Sequence, residues 1–415
     1  MPNLAINGGS KVRNKPFPKW PQFDETDERA LVDVLRSGQW GSTSGRRVQE
    51  FEKAFAEFTG AKFATCVTNG TAALEIALMA VGVGIGDEVI VPPYTFVATA
   101  SSVLSVGAVP IFVDVEADTF NLDATKIEAA LTPRTKAIIP VHMGGCPANM
   151  DAIMEVARQH GLRVIEDAAQ AHGATWKGVH VGNFGDAGTF SFQSSKNLNS
   201  GEGGAIITND PEVDRLVWSI HNVGRRREGA WYEHPVLGSN FRMTEFQGAL
   251  LMSQMRRLRR QMETREANGK YLSARLAELG GLTPCQRDER VTTHAWHLFM
   301  MRYDASQFGG APRHRFVQAL NAEGIPCSVG YGQPLYREEV FHKDPRVLAV
   351  LRAHGGGVDY TQFDCPVAEQ ICQEAVWFYQ SVLLGTKEDM DDIVTAVGKI
   401  KENAEELKSQ VKACA

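Results

Sequence analysis

The chain has 415 residues, about three times the commonest domain size of ~150, so two packed domains or one large domain with an appendage are expected. Hydrophobic residues make up 43% and charged residues 22%, the balance of an ordinary globular protein with ample material for a core. The formal charge of −6 is spread along the length, which argues against a nucleic-acid partner, since that needs a concentrated basic face.

In chain order, the opening MPNLAINGGSKVRNKPF has no apolar h-region, and no stretch approaches the ~20 apolar residues of a membrane span. Seven scattered cysteines show no CxxC spacing, as expected of free thiols in a reducing compartment. These features predict a soluble cytoplasmic protein with no membrane or nucleic-acid partner. From about 60 to 210, helix-like and strand-like segments alternate. A helix is predicted over Ala72–Val81 and another over Met150–His160. Strands are predicted at Glu88–Val91, Val109–Val113, Ala137–Val141 and Arg163–Ile165, and alternation of this kind argues for βαβ units and a mostly parallel sheet. Ala187–Phe192 and Gly204–Thr208 are expected as neighbours in that sheet. Thr244–Leu279 has few breakers and reads as one long helix or a kinked pair. Beyond Gly280-Gly281 the pattern changes to a smaller α+β domain. There Trp296–Tyr303 and Ile325–Tyr331 are predicted strands, Arg313–Glu323 a helix, and Lys387–Val411 a final amphipathic helix. The boundary is drawn at 265/266, giving a large domain over 1–265 and a small one over 266–415.

Three local features carry chemistry. Thr68-Asn69-Gly70-Thr71 stands directly before an apolar helix, and helix N-terminal N–H groups form a ready phosphate site. Taken alone, Thr71 reads first as a plain N-cap and only second as an anion ligand. In Val164–Gln170, Asp167 ends a presumed buried parallel strand, where open α/β sheets place ligands. A carboxylate there needs a cation or a protonated heterocycle, an ordinary salt bridge being the plainer reading. In Ser191–Leu198, Lys196 follows a strand and precedes a glycine-rich turn. Such a lysine is usually a surface residue, but one held in a pocket has a depressed pKa and condenses with an aldehyde. An anion site, an acid for a pyridine nitrogen and an amine for an aldehyde are together the parts that hold pyridoxal phosphate. The basic run Arg225-Arg226-Arg227 is either a solvated loop or an anion contact. A nicotinamide oxidoreductase is disfavoured, because no G-x-G-x-x-G follows the first strand of the βαβ region.

With these parts goes an ordered set of segments: NGTAAL (69–74), GDEVIVPPYTFVATA (86–100), EDAAQAHGA (166–174), FSFQSSKNLNSGEGGAI (190–206), GSNFRMTEFQGAL (238–250) and GIPCSVGYGQPLY (324–336). On them the chain resembles the DegT/DnrJ/StrS family of pyridoxal-phosphate-dependent sugar and cyclitol aminotransferases, from about Phe17 to Lys399. The resemblance implies an α/β fold of type I among pyridoxal-phosphate transferases. That fold has a large domain with a mostly parallel seven-stranded sheet sandwiched by helices, plus a smaller C-terminal α+β domain. It implies Lys196 as the Schiff-base lysine and proton shuttle, Asp167 on the pyridinium nitrogen and Gln170 on the ring-hydroxyl side. Gly70, Thr71 and Ser191 would bind the phosphate and Phe96 would stack on the ring. Asn240 would reach the phosphate of the neighbouring subunit, with Arg242 assisting, which makes a homodimer with a composite site; His172 is read as a supporting group.

Relatives with histidine in place of the lysine perform dehydration, so Lys196 implies transamination from L-glutamate or L-glutamine to a ketone. The segment 365–385 resembles the cyclitol and aminohydroxybenzoate branches, favouring a scyllo-inosose-like acceptor, with a same-fold lyase or dehydratase as the alternative. His142, Trp40, His294 and Tyr331 are candidates for the substrate side.

Overall fold

The structure, a computed structural model, describes residues 3–408. Its centre is a seven-stranded sheet. In chain order the strands are β1 (Phe63–Val67), β2 (Glu88–Val91), β3 (Val109–Phe112), β4 (Thr135–Ile138), β5 (Arg163–Asp167), β6 (Ala187–Ser191) and β7 (Gly204–Thr208). Their spatial order is β1-β7-β6-β5-β4-β2-β3, and only β7 runs against the rest. The sheet is thus the mostly parallel one expected, with β6 and β7 adjacent as anticipated.

The β-branched runs VIV and VPIF are buried on both faces, as parallel strands between helix layers must be. Several positions differ from the sequence reading. The strand expected at 137–141 lies at Thr135–Ile138, because Pro140 has no N–H for the ladder; its carbonyl instead accepts from the Asp167 N–H at 2.9 Å. Ile325–Tyr331 is not a strand: it carries Pro326 and a left-handed Gly330 (φ 76°), and only Ser328 bridges to Trp377. The sequence reading also missed strands, among them β1 (Phe63–Val67) in the large sheet and Leu282–Pro284 and Ala375–Tyr379 in the small one.

Ala375–Tyr379 lies beside Leu298–Tyr303, which in turn pairs with Leu282–Pro284, in a three-stranded antiparallel sheet. Its core takes in Leu4 from the start of the chain and Ile393, Val397 and Ile400 from the helix Lys387–Glu402. The rest of the helix expected to reach Val411 becomes a short 3-10 turn, Ala404–Leu407, and then passes outside the described residues. Arg13 anchors the N-terminal segment to that helix through Asp389 and Asp392, both at 2.7 Å.

One unbroken helix, Glu245–Leu279, spans both regions, running through 265 and 266. A capping box between Thr244 and Gln247 starts it, and Gly280 and Gly281, at φ 70° and 89°, stop it. Its Leu251 and Leu258 pack beneath the large sheet, while Leu272 and Leu276 pack in the small one. No helix among the described residues is long and apolar enough to cross a membrane.

Candidate active site

The site gathers at the C-terminal ends of β5 and β6. Side chains alternate across a strand, so the neighbours Glu166 and Asp167 face opposite sides. Glu166 is fully buried and accepts from the N–H groups of Gly182, Phe184 and Gly185 at 2.7, 2.7 and 2.9 Å. His142 adds a fourth contact: its Nδ1 accepts from Ala148 N–H, so its Nε2 donates to Glu166 at 3.1 Å. His142 is thereby committed to the chain's own groups.

Asp167 is buried with fewer partners. Thr99 Oγ1 donates to its Oδ2 at 2.9 Å and Ala169 N–H to its Oδ1 at 3.2 Å. Burial pushes its pKa up, against the pull of those donors and of Lys196. Thr99 was missed in the sequence; its one signal is its place a single turn after Phe96, whose carbonyl accepts from the Thr99 N–H at 3.2 Å.

Lys196 sits in a tight turn after β6, where its own N–H donates to Gln193 O at 2.9 Å. Burial lowers the amine to about 8, with Asp167 opposing that shift. The acid and the amine are therefore brought together, each pushed toward neutrality by burial and each opposing that shift in the other. Gln170 is buried beside them and accepts from Gly144 N–H at 2.8 Å, and Tyr331 lies against both Gln170 and Asp167.

Asn69, not Thr71, caps the helix Gly70–Ala80, accepting from Ala72 N–H at 2.8 Å. The N-cap reading of Thr71 is overturned: its hydroxyl stands in the first turn, beside N–H groups that helix geometry leaves without acceptors. That turn contains no acidic residue. It is pressed onto the strand ends, since a Cβ on Gly70 would lie 2.7 Å from Ser191 Cβ and one on Gly204 would lie 2.4 Å from Asn69 O. Gly70, Thr71 and Ser191 thus meet at one corner. Phe96 is 57% exposed, which excludes simple core packing for its ring.

Asn240 is exposed and bridges Asn222; the next residue, Phe241, takes the Thr68 N–H on its carbonyl at 2.9 Å. Arg242 donates to Asn222 Oδ1 at 2.9 Å. Trp40 is exposed and its indole donates to Leu35 O, while the His294 ring stacks on Trp296 at 4.0 Å and accepts its backbone N–H. In the basic run, Arg227 pairs with buried Asp214, Arg226 with Glu233 at 3.4 Å, and Arg225 lies over Trp231.

His172 is fully buried against Phe190 and Phe192, beside the Ser191 backbone. Burial lowers it to about 3, as it lowers His294 to about 3 and His180 and His221 to about 4. These folded values lie below the unfolded ~6.5, so only the unfolded chain takes up protons between them. Stability is full above pH ~6.5 and falls as pH drops toward 4, by about 1.4 kcal/mol per histidine per pH unit. Urea titrations followed by circular dichroism at pH 7, 6 and 5 are expected to show that loss; equal stabilities at the three would contradict it.

The DegT/DnrJ/EryC1/StrS aminotransferase family matches residues 21–398. An L-glutamine:2-deoxy-scyllo-inosose aminotransferase of Streptomyces paromomycinus is 41% identical over 420 residues, covering 96% of this chain and 97% of that protein. The crystal structure of 3-amino-5-hydroxybenzoic acid synthase superposes with a TM-score of 0.84 at 36% identity, over 94% of this chain and 99% of that one. NtdA of Bacillus subtilis, solved with bound cofactor PMP, gives 0.81 at 27% identity, over 95% and 87%.

Proposed function

The chain belongs to the DegT/DnrJ/EryC1/StrS aminotransferase family, whose members depend on pyridoxal phosphate, and on that premise we propose that it moves the amino group of L-glutamine to the ketone of a scyllo-inosose-like cyclitol. The observation that carries the chemistry is the buried Asp167 beside the buried Lys196 amine, a carboxyl and an amine held together out of water at the ends of β5 and β6. The residues fit the cofactor: a carboxyl for a ring nitrogen, an amine for an aldehyde, a bare helix end for a phosphate, and an exposed aromatic face at Phe96.

When bound, pyridoxal phosphate supplies an aldehyde that condenses with amines and a protonated ring that draws electrons from the substrate carbon. Asp167 Oδ holds the proton on the ring nitrogen, and Thr99 fixes the carboxylate's orientation. Gly70 and Thr71, at the positive end of their helix, receive the phosphate together with Ser191. Gln170 steadies the ring-hydroxyl side. Phe96 covers one face and excludes water. Lys196 Nζ would be the amine that meets the cofactor's aldehyde, and, lowered by burial to about 8, it would be the group that takes and returns a proton beside it.

The acceptor class rests on a second observation. Arg226 and Arg227 are spent on Glu233 and Asp214, which supports a substrate without a nucleotide diphosphate. The name of the Streptomyces relative supports the same class. A homodimer completes the proposal, with Asn240 reaching the partner's phosphate. Its exposed position, and the exposed Trp231 and Tyr232 on the neighbouring loop, support this. The free thiols of the six described cysteines support a reducing, cytoplasmic setting.

The test is optical. Purified protein is expected to show a visible yellow band that L-glutamine bleaches and a deoxy-scyllo-inosose restores, with amino-cyclitol formed in equal amount. Bleaching without return on any keto-cyclitol, but return on a nucleotide-linked keto-sugar, would sink the acceptor assignment. An aromatic amine product would move it to the aminohydroxybenzoate branch, in line with the similarity to that synthase.

A further inference from the structure

We infer that Arg265 is a positioning residue for Lys196, gripping the turn that carries the lysine from both sides; the inference rests on the lysine role proposed above. Arg265 lies in the middle of the long helix and is fully buried. Among the described residues no charge offsets it, and its Nη1 has no hydrogen-bond partner. A buried guanidinium without a carboxylate is a poor device for stability. What it touches accounts for it better.

One route starts at Nε and Nη2, which both donate to Gln380 Oε1 at 3.0 and 2.5 Å. The Gln380 N–H donates to His297 O at 3.1 Å. The His297 ring meets Asn197 Oδ1 at 3.3 Å, and Asn197 Nδ2 donates to Ala295 O at 2.6 Å. Asn197 follows Lys196 directly. The other route runs through Trp20, whose ring lies under the guanidinium at 5.3 Å. Trp20 Nε1 donates to Ser194 O at 2.9 Å, two residues before Lys196.

Between the two holds the turn is closed by Ser194 N–H on Gly201 O and Lys196 N–H on Gln193 O, both at 2.9 Å. The amine thus takes its place from a helix anchored in two cores. The same fixed charge bears on His172 and His297, where it adds to the burial that keeps both imidazoles neutral around the lysine.

The experiment mixes cofactor-free protein with pyridoxal phosphate and follows growth of the visible band. Its rate constant reports the lysine, and its amplitude reports the folded fraction. Arg265→Met is expected to slow the rate constant about 100-fold, the effect of a misplaced reacting group, while leaving the KM for L-glutamine unchanged in the loaded enzyme. Arg265→Lys is expected to stay slow, because an ammonium neither forks onto Gln380 nor lies flat on Trp20. Trp20→Phe removes one hydrogen bond and Asn197→Ala two, and each variant is expected to slow it at least about 5-fold. The pair Trp20→Phe/Arg265→Met is expected to slow the rate by less than the product of the two single effects, since Trp20 lies on one of the two routes through which Arg265 acts.

A wild-type rate in folded Arg265→Met or in Arg265→Lys would overturn the inference. Should Arg265→Met fail to fold, wild-type rates in both Trp20→Phe and Asn197→Ala would do the same. A wild-type protein that gains no band overturns the lysine assignment itself, and this inference with it.

Discussion

Replacing Lys196 by alanine is expected to lower turnover at least about 10,000-fold and to abolish the yellow band, because one nitrogen serves both as nucleophile and as proton carrier. Lys196→Arg is expected to do no better. A guanidinium stays protonated at any pH the protein survives and offers no lone pair to an aldehyde. The loss should be purely chemical. Folding holds the amine down near 8, well under its unfolded value, so the folded state suffers for carrying that charge. Alanine removes the burden, and thermal melts of Lys196→Ala are expected to sit at or above the wild-type Tm. A variant that still bleached with L-glutamine, or that melted far below wild type, would contradict the assignment.

Asp167→Asn is expected to cost about 1000-fold in the donor half-reaction, the scale of losing a preorganised charge at a site of charge development. The amide oxygen can still accept from Thr99, at the expense of the acceptor for the Ala169 N–H, so most of the local geometry survives while the charge does not. The band should therefore still form, and only its bleaching by L-glutamine should slow. Stopped-flow absorbance separates the two. Bleaching within tenfold of wild type would mean that the ring nitrogen does not depend on this carboxyl. Glu166, one residue earlier, provides the contrast: its four donors are all from the chain, so its loss would show in stability.

The chemistry was legible because it is carried by short contiguous runs. NGTAAL, EDAAQ and SSK each pair a strand or helix end with a reactive side chain, and alternation of β-branched runs with helices orders them along a parallel sheet. Boundaries set by one residue were less legible. Pro140 moved a strand, and Gly330 with Pro326 dissolved another. Ala375–Tyr379 was passed over because its apolar run continues straight from the helix Pro366–Glu374, with no Gly or Pro between them. Asn69 and Thr71 both suit a helix start, and only the bond to Ala72 separates them. Contacts between remote segments left no local trace. Nothing in the sequence near Trp20 signals Ser194 or Arg265, and nothing near Arg225–Arg227 signals that Asp214 and Glu233 neutralise two of the three.

The helix Glu245–Leu279 is 35 residues long, roughly 50 Å at 1.5 Å per residue, and it behaves as a shared beam. A fragment ending at 265 would sever it in mid-span, stripping the second core of Leu272 and Leu276 while leaving Leu251 and Leu258 on a stump. Neither piece is thus a natural expression unit, and heating should melt the two sheets as one calorimetric event. The chain leaves the beam only at Gly280-Gly281, whose left-handed φ values turn it into the second sheet, while Arg265, the residue proposed to hold the lysine-bearing turn, lies well inside the beam.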